Sequence, residues 1–108
     1  MLVLRPSKID ELGVFTTSTI RRNEKLDLFH PSDWKFVRAP GGEEKKLCQR
    51  FGVRDGDGYH CPKYWNRMSL GWYLNDSANP NVEHRKCSFS VLRPIRAGEE
   101  LTIDYDTL

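Results

Sequence analysis

The sequence predicts a mainly β fold built of short sheets with little helix. Three observations lead there. Short runs of β-branched, aromatic or alternating apolar residues recur along the chain, as in Leu2-Val3-Leu4, Gly13-Val14-Phe15-Thr16-Thr17 and Leu101-Thr102-Ile103. Gly, Pro, Asn and Asp interrupt them every few residues. Helix is confined to stretches of a turn or two.

Leu2 to Arg5 reads as a first strand, ended by Pro6, which has no N–H to give a ladder. A polar turn over Ser7 to Leu12 leads to a second strand, Gly13 to Thr17. Arg21-Arg22-Asn23-Glu24 makes the next turn and Lys25 to Phe29 a third strand, so the chain opens as a meander. From His30 to Gly58 the pattern weakens. Trp34 to Val37 suits a strand, Glu43 to Phe51 one or two helical turns, and Pro40, Gly41, Gly42, Gly56 and Gly58 punctuate the rest. Tyr59 to Met68 reads as a helical turn followed by irregular backbone, and an apolar approach then runs to Leu74. Cys87 to Val91 and Leu101 to Tyr105 alternate with period two and read as half-buried closing strands, with Arg96-Ala97-Gly98-Glu99-Glu100 as the turn between them.

A chain of 108 residues with 38% hydrophobic and 30% charged residues suits one small folded domain over 1–108. Its 17 basic and 15 acidic residues are dispersed, so neither nucleic acid nor membrane is expected as a direct partner. Cys48, Cys61 and Cys87 are odd in number and contain no Cys-x-x-Cys pair. Neither a disulfide framework nor a zinc site is suggested, and a reduced, cytoplasmic protein is expected. The apolar N-terminal run is too short for a signal-peptide core, and no stretch approaches the ~20 apolar residues of a membrane span.

The residues with chemical content gather in Asn75-Asp76-Ser77-Ala78-Asn79-Pro80-Asn81. Such residues make surface loops by bonding their own backbone. Here Leu70, Trp72, Tyr73 and Leu74 before them and Val82 after suggest a polar knot held near the core with its amides satisfied by specific partners. By the strand period Tyr105 shares a face with Leu101 and Ile103, which suits a core tyrosine at a strand end. His30, His60 and His84 read as surface or packing residues, Glu43-Glu44-Lys45-Lys46 as a solvated face, and no metal site is indicated.

Glu11-Leu12-Gly13-Val14-Phe15-Thr16, then Asn75 to Asn81, then Glu99-Glu100-Leu101-Thr102-Ile103-Asp104-Tyr105, stand in the order and spacing of the SET domain. The chain resembles that family of protein-lysine methyltransferases from Ser7 to Tyr105, at the scale of its compact viral and bacterial members, with 30–68 as a short variable insert. The resemblance implies a β-clip of short sheets whose Asn/Ser/Pro segment and last strand thread past each other as a C-terminal pseudoknot. It implies S-adenosyl-L-methionine as cofactor and a lysine-bearing protein as substrate. Cofactor contacts are implied for Glu11, Leu12, Gly13, Asn75 and Asp76, the methyl-transfer position for Tyr105, and a lysine channel for Tyr73, Tyr105 and Tyr64.

Glu11 stands where the family usually has Gly, Asp76 where it has His, and Trp72 where Arg is frequent. These residues motivate a second reading, a SET-fold binding module with weak or no turnover. The sequence also stops three residues after Tyr105 without a Cys-rich segment to wall the channel, so a second subunit, the middle insert with Trp34, Tyr59, Tyr64 and Trp65, or the substrate itself is expected to cover it, with a homodimer favoured.

Overall fold

The computed structural model describes every residue except Lys86 and Cys87. The strands are β1 (Leu2–Pro6), β2 (Leu12–Thr16), β3 (Lys25–Leu26) and β4 (Lys35–Arg38), followed by helix α1 (Gly42–Phe51). Then come β5 (Val53–Asp55), β6 (Gly58–Cys61), a 3₁₀ turn at Leu70–Tyr73, β7 (Asn75–Asp76), β8 (Val82–Arg85), β9 (Ser88–Val91) and β10 (Glu100–Ile103). A last 3₁₀ turn covers Tyr105–Thr107. The mainly β reading holds: short sheets and one α-helix among the described residues. The chain divides into two units, Met1–Leu28 with Tyr73–Leu108, and Phe29–Trp72. The residues 30–68 read as an insert fall inside the second.

In the first unit, β1 and β2 form an antiparallel hairpin from Leu2 opposite Thr16 to Pro6 opposite Leu12. Strand β10 continues this sheet antiparallel to β2, with Leu101 opposite Val14, and on its other edge runs parallel to β7, with Thr102 opposite Asn75 and Ile103 opposite Asp76. A parallel neighbour 25 residues earlier in sequence requires a crossover, and the polar segment after β7 supplies it. A second sheet has the order β3-β9-β8.

The core of this unit is Val14, Val82, Val91, Ile95, Leu101 and Ile103, all essentially inaccessible. Each buried aliphatic side chain contributes roughly 1.5–3 kcal/mol relative to exposure. Because β10 is paired on both edges, Thr102 is buried along with Leu101 and Ile103, so this strand is not half-buried as its alternation suggests. Gly98 has φ +89 in the turn before β10, a conformation a side chain would strain, and its N–H donates to Thr16 O at 2.8 Å.

The second unit contains the sheet β4-β6-β5 and α1. Its polar centre is Asp33, which accepts from Ser69 N at 2.6 Å, Lys63 N at 3.0 Å and Trp72 Nε1 at 3.2 Å. Burial pushes the Asp33 carboxyl up, but these bonds outweigh it and hold its pKa below the usual value. Glu44 is not simply solvated: it pairs with Lys35 Nζ at 2.9 Å and accepts from Trp65 Nε1 at 3.3 Å. The thiols of Cys48 on α1 and Cys61 on β6 are fully buried and unpaired by disulfide. Burial raises both, with the Cys48 sulfur adding to the effect on Cys61, which is pushed up to about 12.

Several boundaries differ from expectation. The third strand stops at Leu26 rather than Phe29: its pairing with β9 ends with Leu26 opposite Phe89. Helix α1 is longer than two turns, supported by Glu43 and Glu44 in its first turn and Arg50 in its last. Tyr59 to Cys61 is strand and not helix, because Gly56-Asp57 closes a hairpin between β5 and β6. Cys87, read as the start of a closing strand, lies outside the described residues.

Candidate functional site

The first unit brings together residues that the sequence spreads over almost its whole length. The turn between β1 and β2 closes with Ser7 N donating to Glu11 O at 2.9 Å, which places the Ser7 hydroxyl beside β10. That hydroxyl donates to Glu100 Oε1 at 2.6 Å. The other oxygen, Glu100 Oε2, accepts from Asn75 Nδ2 at 2.7 Å. The same Asn75 nitrogen faces Ser7 Oγ at 3.1 Å, Leu12 O at 3.1 Å and Asp10 O at 3.3 Å. Asn75 is 7% exposed, and its amide nitrogen is satisfied by specific protein partners.

Gly13 completes this cluster by having no side chain. A Cβ there would stand 2.2 Å from Glu100 Oε2 and 3.1 Å from Asn75 Nδ2. The tight position of the expected Glu11-Leu12-Gly13 segment is therefore Gly13. Glu11 itself is exposed, and Leu12 is 43% exposed.

A second cluster joins Asp76, Tyr105 and Asn81. Tyr105 is not on the last strand. Asp104 caps a 3₁₀ turn by accepting from Asp106 N, and Tyr105 lies in that turn, 47% exposed, so it is not the core tyrosine that the two-residue period suggests. Its backbone N donates to Asp76 Oδ1 at 2.8 Å and its hydroxyl to Leu74 O at 2.5 Å. Asn81, 3% exposed, accepts from Thr102 N and donates to Glu100 O, both at 2.8 Å. With Ser77 N donating to Ile103 O at 3.0 Å, these bonds lock the segment after β7 onto both ends of β10. This is the threading expected of the pseudoknot.

Of the residues expected at the site, Glu11, Leu12, Gly13, Tyr73, Asn75, Asp76 and Tyr105 all belong to the first unit. Tyr64 belongs to the second, half exposed, with Arg67 4.7 Å and Lys63 5.7 Å from its ring centre. Trp72 is also in the second unit, its indole held by Asp33 and its ring edge-on to Phe29 at 5.0 Å. Sequence reasoning missed Ser7 and Glu100. In the sequence Ser7 lies in a polar turn and Glu100 in the turn before a strand, and only their pairing across 93 residues gives them a role. Among the described residues no group of three or more His, Cys, Asp or Glu could hold a metal ion, and no helix is long and apolar enough to cross a membrane.

Comparison with known proteins agrees with this architecture. A solved structure from Plasmodium falciparum, described as a "putative histone methyltransferase", shares the fold with a TM-score of 0.65 at 18% identity. The likeness covers 97% of this chain and 96% of that one. No curated protein sequence matches the chain. The family model for the SET domain matches residues 11–106, a span that includes Gly13, Asn75, Glu100 and Tyr105, and the chain belongs to the SET domain family.

Proposed function

We propose that this SET domain moves a methyl group from S-adenosylmethionine to the side-chain amine of a lysine in a protein substrate. The observation that carries the proposal is the convergence of Gly13, Asn75, Asp76 and Tyr105 within one unit of a chain that matches the SET family across that whole region.

The residues fit the cofactor in two respects. Leu12 is exposed, and beside it Gly13, by lacking a side chain, admits the Glu100 carboxylate against Asn75. The Asn75 amide is turned so that its nitrogen is consumed by protein acceptors and its oxygen is not. Leu12, Gly13 and Asn75 would hold the amino-acid end, and Asp76 the nucleoside end. Bound S-adenosylmethionine supplies an activated methyl on a sulfonium, which an amine displaces in line without acid catalysis.

What remains for the protein is alignment and dehydration. The Tyr105 hydroxyl donates to Leu74 O, so toward the reacting groups its oxygen would serve as an acceptor, orienting rather than reacting. A lysine with a pKa near ~10.4 must arrive neutral, which at pH 7 costs on the order of 4–5 kcal/mol, and an apolar approach lowers that cost.

Incubation with methyl-labelled cofactor and a lysine-rich protein mixture, followed by peptide mass spectrometry, tests the proposal. Methyl-lysine that disappears with Tyr105→Phe supports it. Absence of label on every substrate, or label that Tyr105→Phe leaves unchanged, counts against it.

A further inference from the structure

Asn75 is surrounded by more acceptors than it has protons. Its amide nitrogen carries two N–H bonds and faces four oxygens: Glu100 Oε2, Ser7 Oγ, Leu12 O and Asp10 O. Two are backbone carbonyls and one is a carboxylate, none of which can donate. The Ser7 hydroxyl proton is used on Glu100 Oε1. With the amide reversed, Asn75 Oδ1 would face Glu100 Oε2 at 2.7 Å with no proton between them. The chemistry therefore fixes the orientation, with nitrogen inward and oxygen outward. Among the described residues nothing donates to Asn75 Oδ1. It is also not sealed in, because the buried side-chain nitrogen or oxygen without a partner is His60 Nδ1.

We infer that Glu100, pinned by Ser7, is a positioning residue that, with the carbonyls of Leu12 and Asp10, holds the polarity of Asn75, so that Asn75 meets the cofactor's amino-acid end as an acceptor. This inference rests on the cofactor reading above. An outward acceptor suits the ammonium of that end and not its carboxylate. Glu100 makes the shortest of the four contacts, and the only one carrying charge. It occupies the space that a Cβ on Gly13 would claim, so Gly13 is what admits it. A carboxylate is needed because it cannot donate. A glutamine at 100 can turn its own N–H toward Asn75, which leaves the amide held only by the neutral carbonyls of Leu12 and Asp10 and weakens the preference for nitrogen inward.

Calorimetric titration of S-adenosylhomocysteine and of its des-amino analogue, in which hydrogen replaces the ammonium, tests this on the wild type, Glu100→Gln and Glu100→Ala. Both variants are expected to bind S-adenosylhomocysteine about tenfold more weakly and the des-amino analogue less than about twofold more weakly. A purely structural role would weaken both ligands alike, and that result overturns the inference while leaving the cofactor reading intact. Unchanged affinity for S-adenosylhomocysteine overturns it too. If the wild type binds neither ligand, the cofactor reading falls and the assignment with it. Should the Glu100 variants fail to fold, Ser7→Ala removes the pinning bond together with the weaker contacts that Ser7 Oγ accepts from Asn75 Nδ2 at 3.1 Å and Ile9 N at 3.0 Å, and the same selective loss is expected at about threefold. Equal or absent loss in that variant again overturns the inference.

Discussion

Replacing Gly13 with Ala adds one methyl group, and its consequence follows from the surroundings. The residue lies within β2 on extended backbone, so no left-handed conformation is at stake. The new Cβ would stand 2.2 Å from Glu100 Oε2 and 2.7 Å from its carboxyl carbon. The carboxylate has to leave. In leaving it gives up the bond from Ser7 at 2.6 Å and that from Asn75 at 2.7 Å, and Asn75 keeps only neutral acceptors.

Bonds to a charged partner contribute roughly 1.5–3 kcal/mol each, and hydration of the displaced carboxylate returns part of it, so a net loss of about 2–4 kcal/mol is expected. For a chain of this size that lowers Tm by about 10–20 °C. The assay is chemical denaturation of four proteins forming a cycle: wild type, Gly13→Ala, Glu100→Ala and the double variant. With the side chain of Glu100 gone, the nearest remaining neighbour of the methyl group is Asn75 Nδ2 at 3.1 Å, which a shift of a few tenths of an ångström relieves, and Gly13→Ala should cost less than about 1 kcal/mol in that background. The coupling between the two positions is then about 2 kcal/mol. If Gly13→Ala costs as much without Glu100 as with it, or costs less than about 0.5 kcal/mol alone, the clash described here is not what fixes glycine at this position.

Three further outcomes follow. Asn81→Ala leaves Thr102 N and Glu100 O unpaired at the buried crossing, and denaturant titration should register a loss of about 2–4 kcal/mol. Asp33→Asn leaves at least one of Ser69 N, Lys63 N and Trp72 Nε1 poorly matched, and it also removes a pH dependence. Because the folded carboxyl titrates below the usual aspartate value of about 3.9, its stabilisation is complete above that pH and is lost as the pH falls through the lower folded value. The stability gap between wild type and Asp33→Asn, measured from pH 7 downward, should therefore close below about pH 4. Finally, with Cys61 pushed up to about 12 and both Cys48 and Cys61 fully buried, native alkylation at pH 8 followed by peptide mass spectrometry should leave these two unlabelled. Labelling should appear only after denaturation.

The sequence made the strands legible where apolar residues alternate. Leu2-Val3-Leu4, Gly13 to Thr16 and Leu101 to Ile103 carry their own pattern, and the ordered segments at Gly13, Asn75 and Tyr105 name the family. Strand β8 was not legible because Val82-Glu83-His84-Arg85 has one apolar residue, and pairing with β9 makes it a strand. The β5–β6 hairpin had a readable signal in Asp55-Gly56, but it was taken as punctuation.

Tyr105 left the strand pattern because Asp104 caps a new turn, a local bond that periodicity does not register. The candidate site was legible in Gly13, Asn75, Asp76 and Tyr105 and not in the residues that support them. Nothing local marks Ser7 or Glu100, and their role exists only once β1, β2, β7 and β10 are assembled. Glu11, which stands where the family usually has Gly, is exposed, and the crowded position of the segment is Gly13.

The central claim is that this assembly holds S-adenosylmethionine at Gly13 and Asn75 with Tyr105 alongside. A crystal structure of the chain soaked with S-adenosylhomocysteine tests it most directly. The account predicts the amino-acid end of the ligand against the backbone of Leu12 and Gly13, with its ammonium on Asn75 Oδ1. Ligand density elsewhere on the chain, or none at saturating concentration, would contradict it.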